Sequence, residues 1–125
     1  MKKVVTAAGA PAAIGPYSHA VSAGDFLFTS GQIALDSATG KLAGESIEVQ
    51  VEQVLSNLEA VLNANNMTFA NVIKTTVFLV DMSDFSVVNG IYASRFSENP
   101  PARSCVQVAG LPGGSKVEIE LIACK

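Results

Sequence analysis

The residues best suited to chemistry lie near the C-terminal end, in Pro101-Ala102-Arg103-Ser104-Cys105-Val106 and in Val117-Glu118-Ile119-Glu120-Leu121. Arg103 carries a guanidinium that stays ionised and can hold a carboxylate through two parallel hydrogen bonds. Glu118 alternates with Val117 and Ile119 and offers a group that can take up and return a proton. Together they describe a pocket for a small carboxylate with an acid beside it. Anchoring a carboxylate in this way also fixes the carbon next to it, within reach of a held water. The alternative is that both charges face solvent, as most charged residues do.

Other chemistries find less support. The chain has one histidine, His19, and no His/Cys/Asp cluster at ligand spacing, so no metal site is expected. His19 is read as a surface or interface residue. There is no Gly-x-Ser-x-Gly elbow for a serine nucleophile, and Gly113-Gly114 lacks the Lys-Ser/Thr and helix of a phosphate loop. Cys105 has Arg103 two residues away, which would favour a thiolate, but a small buried strand residue is the competing reading.

The elements that must position these groups follow from pattern. Pro100-Pro101 forbids helix just before Arg103, since proline lacks an amide proton and restricts its predecessor. Ser104 to Val108 reads as a strand; if it is extended from 103, then Arg103, Cys105 and Gln107 share a face. Leu111-Pro112-Gly113-Gly114-Ser115 breaks the pattern, and a second strand starts near Lys116, with Lys116, Glu118 and Glu120 on one face and Val117, Ile119, Leu121 and Ala123 on the other. If Pro112-Gly113-Gly114 were a hairpin turn, Cys105 would lie opposite Glu118.

Upstream, Lys2 to Thr6 is a candidate edge strand, and the prolines and glycines of Ala8 to Pro16 make a loop. Tyr17 to Val21 and Phe26 to Thr29 read as strands joined around Ala23-Gly24-Asp25. Ser30-Gly31-Gln32 interrupts the second one, as a bulge or close approach would, and Asp36 to Gly40 is a further turn. Ile47, Val51, Val54, Leu55, Leu58, Val61 and Leu62 fall at helical spacing, with Glu48, Gln50, Glu52, Gln53 and Glu59 opposite. Ser46 can cap this helix and Asn65-Asn66 can end it. Val72 to Val80 is apolar on both faces apart from Lys74 and the threonines, as expected of a central strand with helices on one side. A second helix, capped by Ser83-Asp84 and stopped by Pro100-Pro101, carries Phe85, Val88, Tyr92 and Phe96 on one stripe despite the turn-like Asn89-Gly90. The order of elements gives an α+β domain over residues 1–125, with both helices on one face of one sheet.

Composition bounds the function classes. The chain has 125 residues, 49% hydrophobic and only 15% charged, with a net charge of −3. So few charges suggest that part of the surface is hidden against further copies of the chain. No basic cluster marks a phosphate-binding surface. Two cysteines make no disulfide framework, no leader peptide is evident before Pro11, and no run is long enough to span a membrane, so a reducing cytoplasm is the default.

The quoted C-terminal motifs, with Ala109-Gly110-Leu111, Ala10 to Tyr17, Thr29-Ser30-Gly31-Gln32-Ile33, Lys74 to Phe78 and Val88-Asn89-Gly90-Ile91-Tyr92, resemble the RidA family, also called the YjgF family, of reactive-intermediate deaminases. The similarity runs from near residue 7 to near residue 123. It implies a chorismate-mutase-like fold, a mixed sheet in which the strand matching Val72 to Val80 lies between the last two, and a homotrimer with sites at subunit boundaries. It implies cofactor-free hydrolysis of enamines and imines such as 2-aminoacrylate and 2-iminopropanoate to 2-keto acids and ammonium. By the same matching Arg103 holds the carboxylate and Glu118, rather than Glu120, handles the protons and water. Tyr17 supplies a hydroxyl, Ser30 and Gly31 backbone contacts, Asn89 an amide, and Cys105 mainly backbone groups. Two other roles stand beside this one: a non-catalytic binder of small 2-keto acids, and the single-strand ribonuclease activity reported for some relatives, against which the acidic balance and few aromatics argue.

Overall fold

The computed structural model describes residues 1–125. Its elements are β1 (Lys2–Val5), β2 (Ala20–Ala23), β3 (Phe26–Thr29), β4 (Gln32–Ile33), α1 (Ile47–Ala64), β5 (Val72–Leu79), α2 (Phe85–Ala93), β6 (Ala102–Gln107) and β7 (Val117–Cys124). The strands form one seven-stranded sheet in the order β1-β2-β3-β7-β5-β6, with β4 continuing the β3 side of β7. Only the β5–β6 pairing is parallel. The expected mixed sheet with a central fifth strand is therefore present, and the hairpin reading of Pro112-Gly113-Gly114 is not. That segment is a 3-10 turn with Gly113 at φ 66°, and β5 separates β6 from β7. Cys105 and Ile119 flank Val77 from opposite sides, whereas Glu118 lies beside Phe78.

Local chemistry accounts for the boundaries. Ser46 caps α1 by accepting the Val49 amide. The helix closes with Asn66 in the left-handed region at φ 58°, where the amides of Asn66 and Met67 return to the carbonyls of Asn63 and Leu62. This double closure satisfies carbonyls that would otherwise be orphaned, and asparagine tolerates the positive φ. Gly24, at φ 58°, and Asp25 make the β2–β3 turn. The second helix is less as expected. Asp81 caps a preceding 3-10 turn by accepting the Ser83 amide, Asp84 makes no side-chain cap, and α2 stops at Ala93, well before Pro100. Tyr17 lies outside β2, and β6 begins at Ala102 and ends at Gln107.

Both helices cover one face of the sheet. Val51, Val54, Leu55, Leu58, Val61 and Leu62 are wholly buried there against Leu27, Val77, Leu79, Val117 and Ile119. Each such side chain contributes about 1.5–3 kcal/mol over leaving it in water. Gln50, placed by periodicity on the polar side of α1, is instead buried. Its Nε2 donates to the Gly44 carbonyl and its Oε1 accepts the Lys116 amide, so it ties the loop before β7 to the helix. Asn57 does the same for β4, donating to the carbonyls of Ile33 and Leu35. The other face of the sheet is open, and displays Phe26, Phe28, Phe78 and Val106 with Lys74, Thr76, Ser104, Glu118 and Glu120.

Candidate active site

Strand parity and sheet order decide where each candidate residue points. Arg103 pairs with Thr75 and Cys105 with Val77, whose side chains are buried beneath the helices, so Arg103 and Cys105 share the helix-covered face. Glu118 and Glu120 pair with Phe78 and Thr76 on the open face. Within one chain, Arg103 and Glu118 thus lie on opposite faces, two strand spacings or roughly 10 Å apart across the sheet.

Arg103 sits in a cavity of about 450 Å3 at the outer edge of the sheet, lined also by Asn89, Tyr92, Phe96, Pro100 and Pro101. Its Nη1 donates to Asn89 Oδ1 at 2.6 Å. The guanidinium carbon lies 4.9 Å from the centroid of the Tyr92 ring and 5.4 Å from that of Phe85. These rings supply cation–π attraction and a flat bed for the planar group. Tyr92 is itself fixed by a 2.7 Å hydrogen bond between its hydroxyl and Thr75 Oγ1, the residue beside Arg103 on the neighbouring strand. No carboxylate pairs with Arg103; the chain's one ion pair joins Arg95 to Glu52. Phe85, Asn89 and Tyr92 stand at offsets 0, 4 and 7 along α2. That spacing was visible in the sequence, and it puts Asn89 on the same stripe as the rings, as a partner of Arg103.

Glu118 lines a second cavity, of about 310 Å3, with Tyr17, Ser30, Gly31, Ile14, Ile33 and Pro112. The interruption between β3 and β4 is what admits the acid. A Cβ on Gly31 would collide with the Glu118 carboxylate, so only glycine leaves room for it. Glu118 makes no ion pair. Partial burial, and then the charge of Glu120, push its pKa above the usual carboxylate range. Ser30 has both donors engaged inside the chain, its hydroxyl with the Ser18 carbonyl and its amide with the His19 carbonyl. Tyr17 is half exposed, and its hydroxyl accepts the Ile14 amide at 3.4 Å. Cys105 is half buried, and burial raises its pKa more than Arg103 lowers it. The thiol is therefore the ground state, which removes support for a thiolate nucleophile. No group of three or more His, Cys, Asp or Glu side chains is placed to hold a metal.

His19 is not the surface or interface residue the sequence suggested, since both ring nitrogens are engaged inside the chain. It is 6% exposed, with its Nδ1 accepting the Ala7 amide at 2.9 Å and its Nε2 donating to the Pro11 carbonyl at 2.7 Å. The expectation rested on its isolation in the sequence, which says nothing about backbone groups that fold back onto the ring.

A family model described as Endoribonuclease L-PSP matches residues 7–125. The chain belongs to this family, the RidA or YjgF family. Among its relatives, a mouse protein named 2-iminobutanoate/2-iminopropanoate deaminase is 48% identical over 98% of this chain and 91% of its own length. An Arabidopsis thaliana protein named Reactive Intermediate Deaminase A, chloroplastic, is 49% identical over 98% of this chain and 65% of its own length. Among solved structures, Escherichia coli TdcF with bound serine superposes with a TM-score of 0.94 at 40% identity, covering 98% of each chain. TdcF therefore shares the sheet-and-helix arrangement described above.

Proposed function

We propose that this RidA-family protein is a cofactor-independent deaminase that hydrolyses 2-imino acids, formed from enamines such as 2-aminoacrylate, to 2-keto acids and ammonium. The observation that carries this reading is Arg103, a half-buried cation fixed by Asn89 and two rings and left without an acid to pair with. Such a group is prepared for an anionic ligand, and its free N–H fork matches a carboxylate. The names of the mouse and Arabidopsis relatives, and serine in TdcF, support a small amino-acid-derived ligand.

Arg103 anchors the carboxylate of the imino acid and so fixes the position of the adjacent C=N carbon. Glu118 takes a proton from water as the oxygen attacks that carbon and passes it to the imine nitrogen, giving a carbinolamine, and then carries the proton of the new hydroxyl to the same nitrogen as the C–N bond breaks and the C=O bond forms. The products are the 2-keto acid and ammonia, which leaves as ammonium. A carboxyl whose pKa is raised toward neutrality suits this double duty, and positioned proton transfer contributes roughly 10²- to 10⁴-fold. Because the two side chains occupy opposite faces of one chain, the reading requires a second copy of the chain to bring its Glu118 to Arg103. A homotrimer with sites at its boundaries supplies that copy. We place the protein in a reducing compartment such as the cytoplasm; the Arabidopsis relative is named as chloroplastic.

The test is direct. Added to a dehydratase that releases 2-aminoacrylate, the purified protein should speed keto-acid formation, and Arg103→Ala should abolish the gain. Equal rates with and without wild-type protein, alongside tight calorimetric binding of a 2-keto acid, would replace the enzyme by a carboxylate sensor.

A further inference from the structure

The segment from Ala7 to Ser18 is a strap that runs from β1 to β2 outside the sheet. Its first part is seated: Ala7, Ala10 and Pro11 are buried, and Gly9 packs so closely on α1 that a Cβ there would stand 3.2 Å from Ala60 Cβ. Its second part, Ala12 to Tyr17, is exposed throughout, and Ala12, Ala13 and Tyr17 line a cavity of about 230 Å3 with Thr6, Ser18 and His19. This part also carries Ile14 and Tyr17 into the wall of the Glu118 cavity. Its course is set by its anchors. Ser30 holds one end through the Ser18 carbonyl, and the His19 ring holds the other through the Pro11 carbonyl while also binding the Ala7 amide.

The ring can serve both partners only as the neutral tautomer with hydrogen on Nε2, because the Ala7 amide must meet a bare Nδ1. Leucine would fill the same space and serve neither. We propose that His19 is a positioning residue, whose imidazole, fixed between the Ala7 amide and the Pro11 carbonyl, sets the strap that places Ile14 and Tyr17 against the substrate. This rests on the reading that the Glu118 cavity receives the imino acid. Glu118 itself sits on β7 and does not depend on the strap, so His19 governs how well substrate is held rather than how fast the held substrate reacts.

The experiment compares wild type, His19→Leu and His19→Gln by imine turnover, by calorimetry with 2-oxobutanoate, and by hydrogen exchange. In His19→Leu the Ala7 amide should lose protection while Val77 and Ile119 keep theirs. The KM for the imine and the Kd for 2-oxobutanoate should rise about tenfold or more, the scale of the two buried hydrogen bonds that leucine cannot make, with kcat within about twofold. His19→Gln offers one acceptor and one donor, and should recover most of the affinity. Unchanged binding in His19→Leu, or a fall in kcat with KM unmoved, overturns the proposal. Should His19→Leu not fold, His19→Gln decides alone: Ala7 protection and affinity must be kept or lost together, and a change in one without the other is fatal. Wild-type protein that binds 2-oxobutanoate without turnover removes only the enzyme reading, since exchange and calorimetry still judge His19. Wild-type protein that does neither overturns both.

Discussion

Arg103 and Glu118 are prepared in opposite ways. The arginine is satisfied on its flat faces and on one N–H, which leaves its charge directed at whatever enters. The glutamate is left without an ionic partner beside a second carboxylate, so its charged form is disfavoured first by lost hydration and then by Glu120. These two causes can be separated. Activity that requires ionised Glu118 falls as pH drops through its pKa, which burial and Glu120 raise and which the Arg103 of a neighbouring chain in the proposed site draws down. Glu120→Gln removes the like charge and leaves the burial and the guanidinium in place. The acid limb of the rate profile should then move to lower pH, as a pH series of initial rates on both proteins will show. A limb that does not move would mean that Glu118 is not the titrating group.

At the level of elements, the break between β3 and β4 is the feature that makes room for the Glu118 carboxylate. An unbroken strand would place a side chain where Gly31 now lets the Glu118 carboxylate lie. Gly31→Ala puts a methyl group there. Since Gly31 is not at positive φ, alanine can take its backbone conformation and the flexible end of Glu118 is what must yield. The expected outcome is a loss of activity of tenfold or more, the scale on which misplacing a reacting group acts, with a melting temperature within a few degrees of wild type. A collapse of the melting temperature would show that the glycine serves the fold instead.

Much of this element order could be read from residue pattern. The stripe from Ile47 to Leu62, its serine cap, the asparagine stop, the Gly24-Asp25 turn and the interruption at Ser30-Gly31 are local signals, and local hydrogen bonds decide them. What pattern could not supply was sheet order and the partners of buried polar groups. Gln50 looks solvated because its spacing puts it opposite the apolar stripe, but the chain before β7 returns to it from 66 residues away. The His19 ring likewise meets backbone groups of a loop with no periodicity. The parity of Arg103 and Glu118 was legible strand by strand. The faces they take relative to each other depend on β5 lying between them, which the family resemblance supplied and the hairpin arithmetic did not.

At the scale of the whole molecule, the two parts of the proposed site lie apart on one chain. The Arg103 cavity opens at the outer strand of the sheet, and the Glu118 cavity opens on the face that no helix covers. That face also presents Phe26 and Phe28, their rings 6.3 Å apart, with Val106 at 45% exposure. A chain with so few charges has reason to cover such a surface with its own copies. In a cyclic trimer every boundary would then join the Arg103 edge of one chain to the Glu118 face of the next. Arg103→Ala and Glu118→Gln should each be inactive as pure proteins. Unfolded together in equal amounts and refolded, they should regain about a quarter of wild-type activity, because each boundary has even odds of receiving an intact Arg103 and, independently, an intact Glu118. Sedimentation should report trimers in all three preparations. If both residues of a site came from the same chain, every mixed trimer would carry one defect at each site, and mixing would restore nothing.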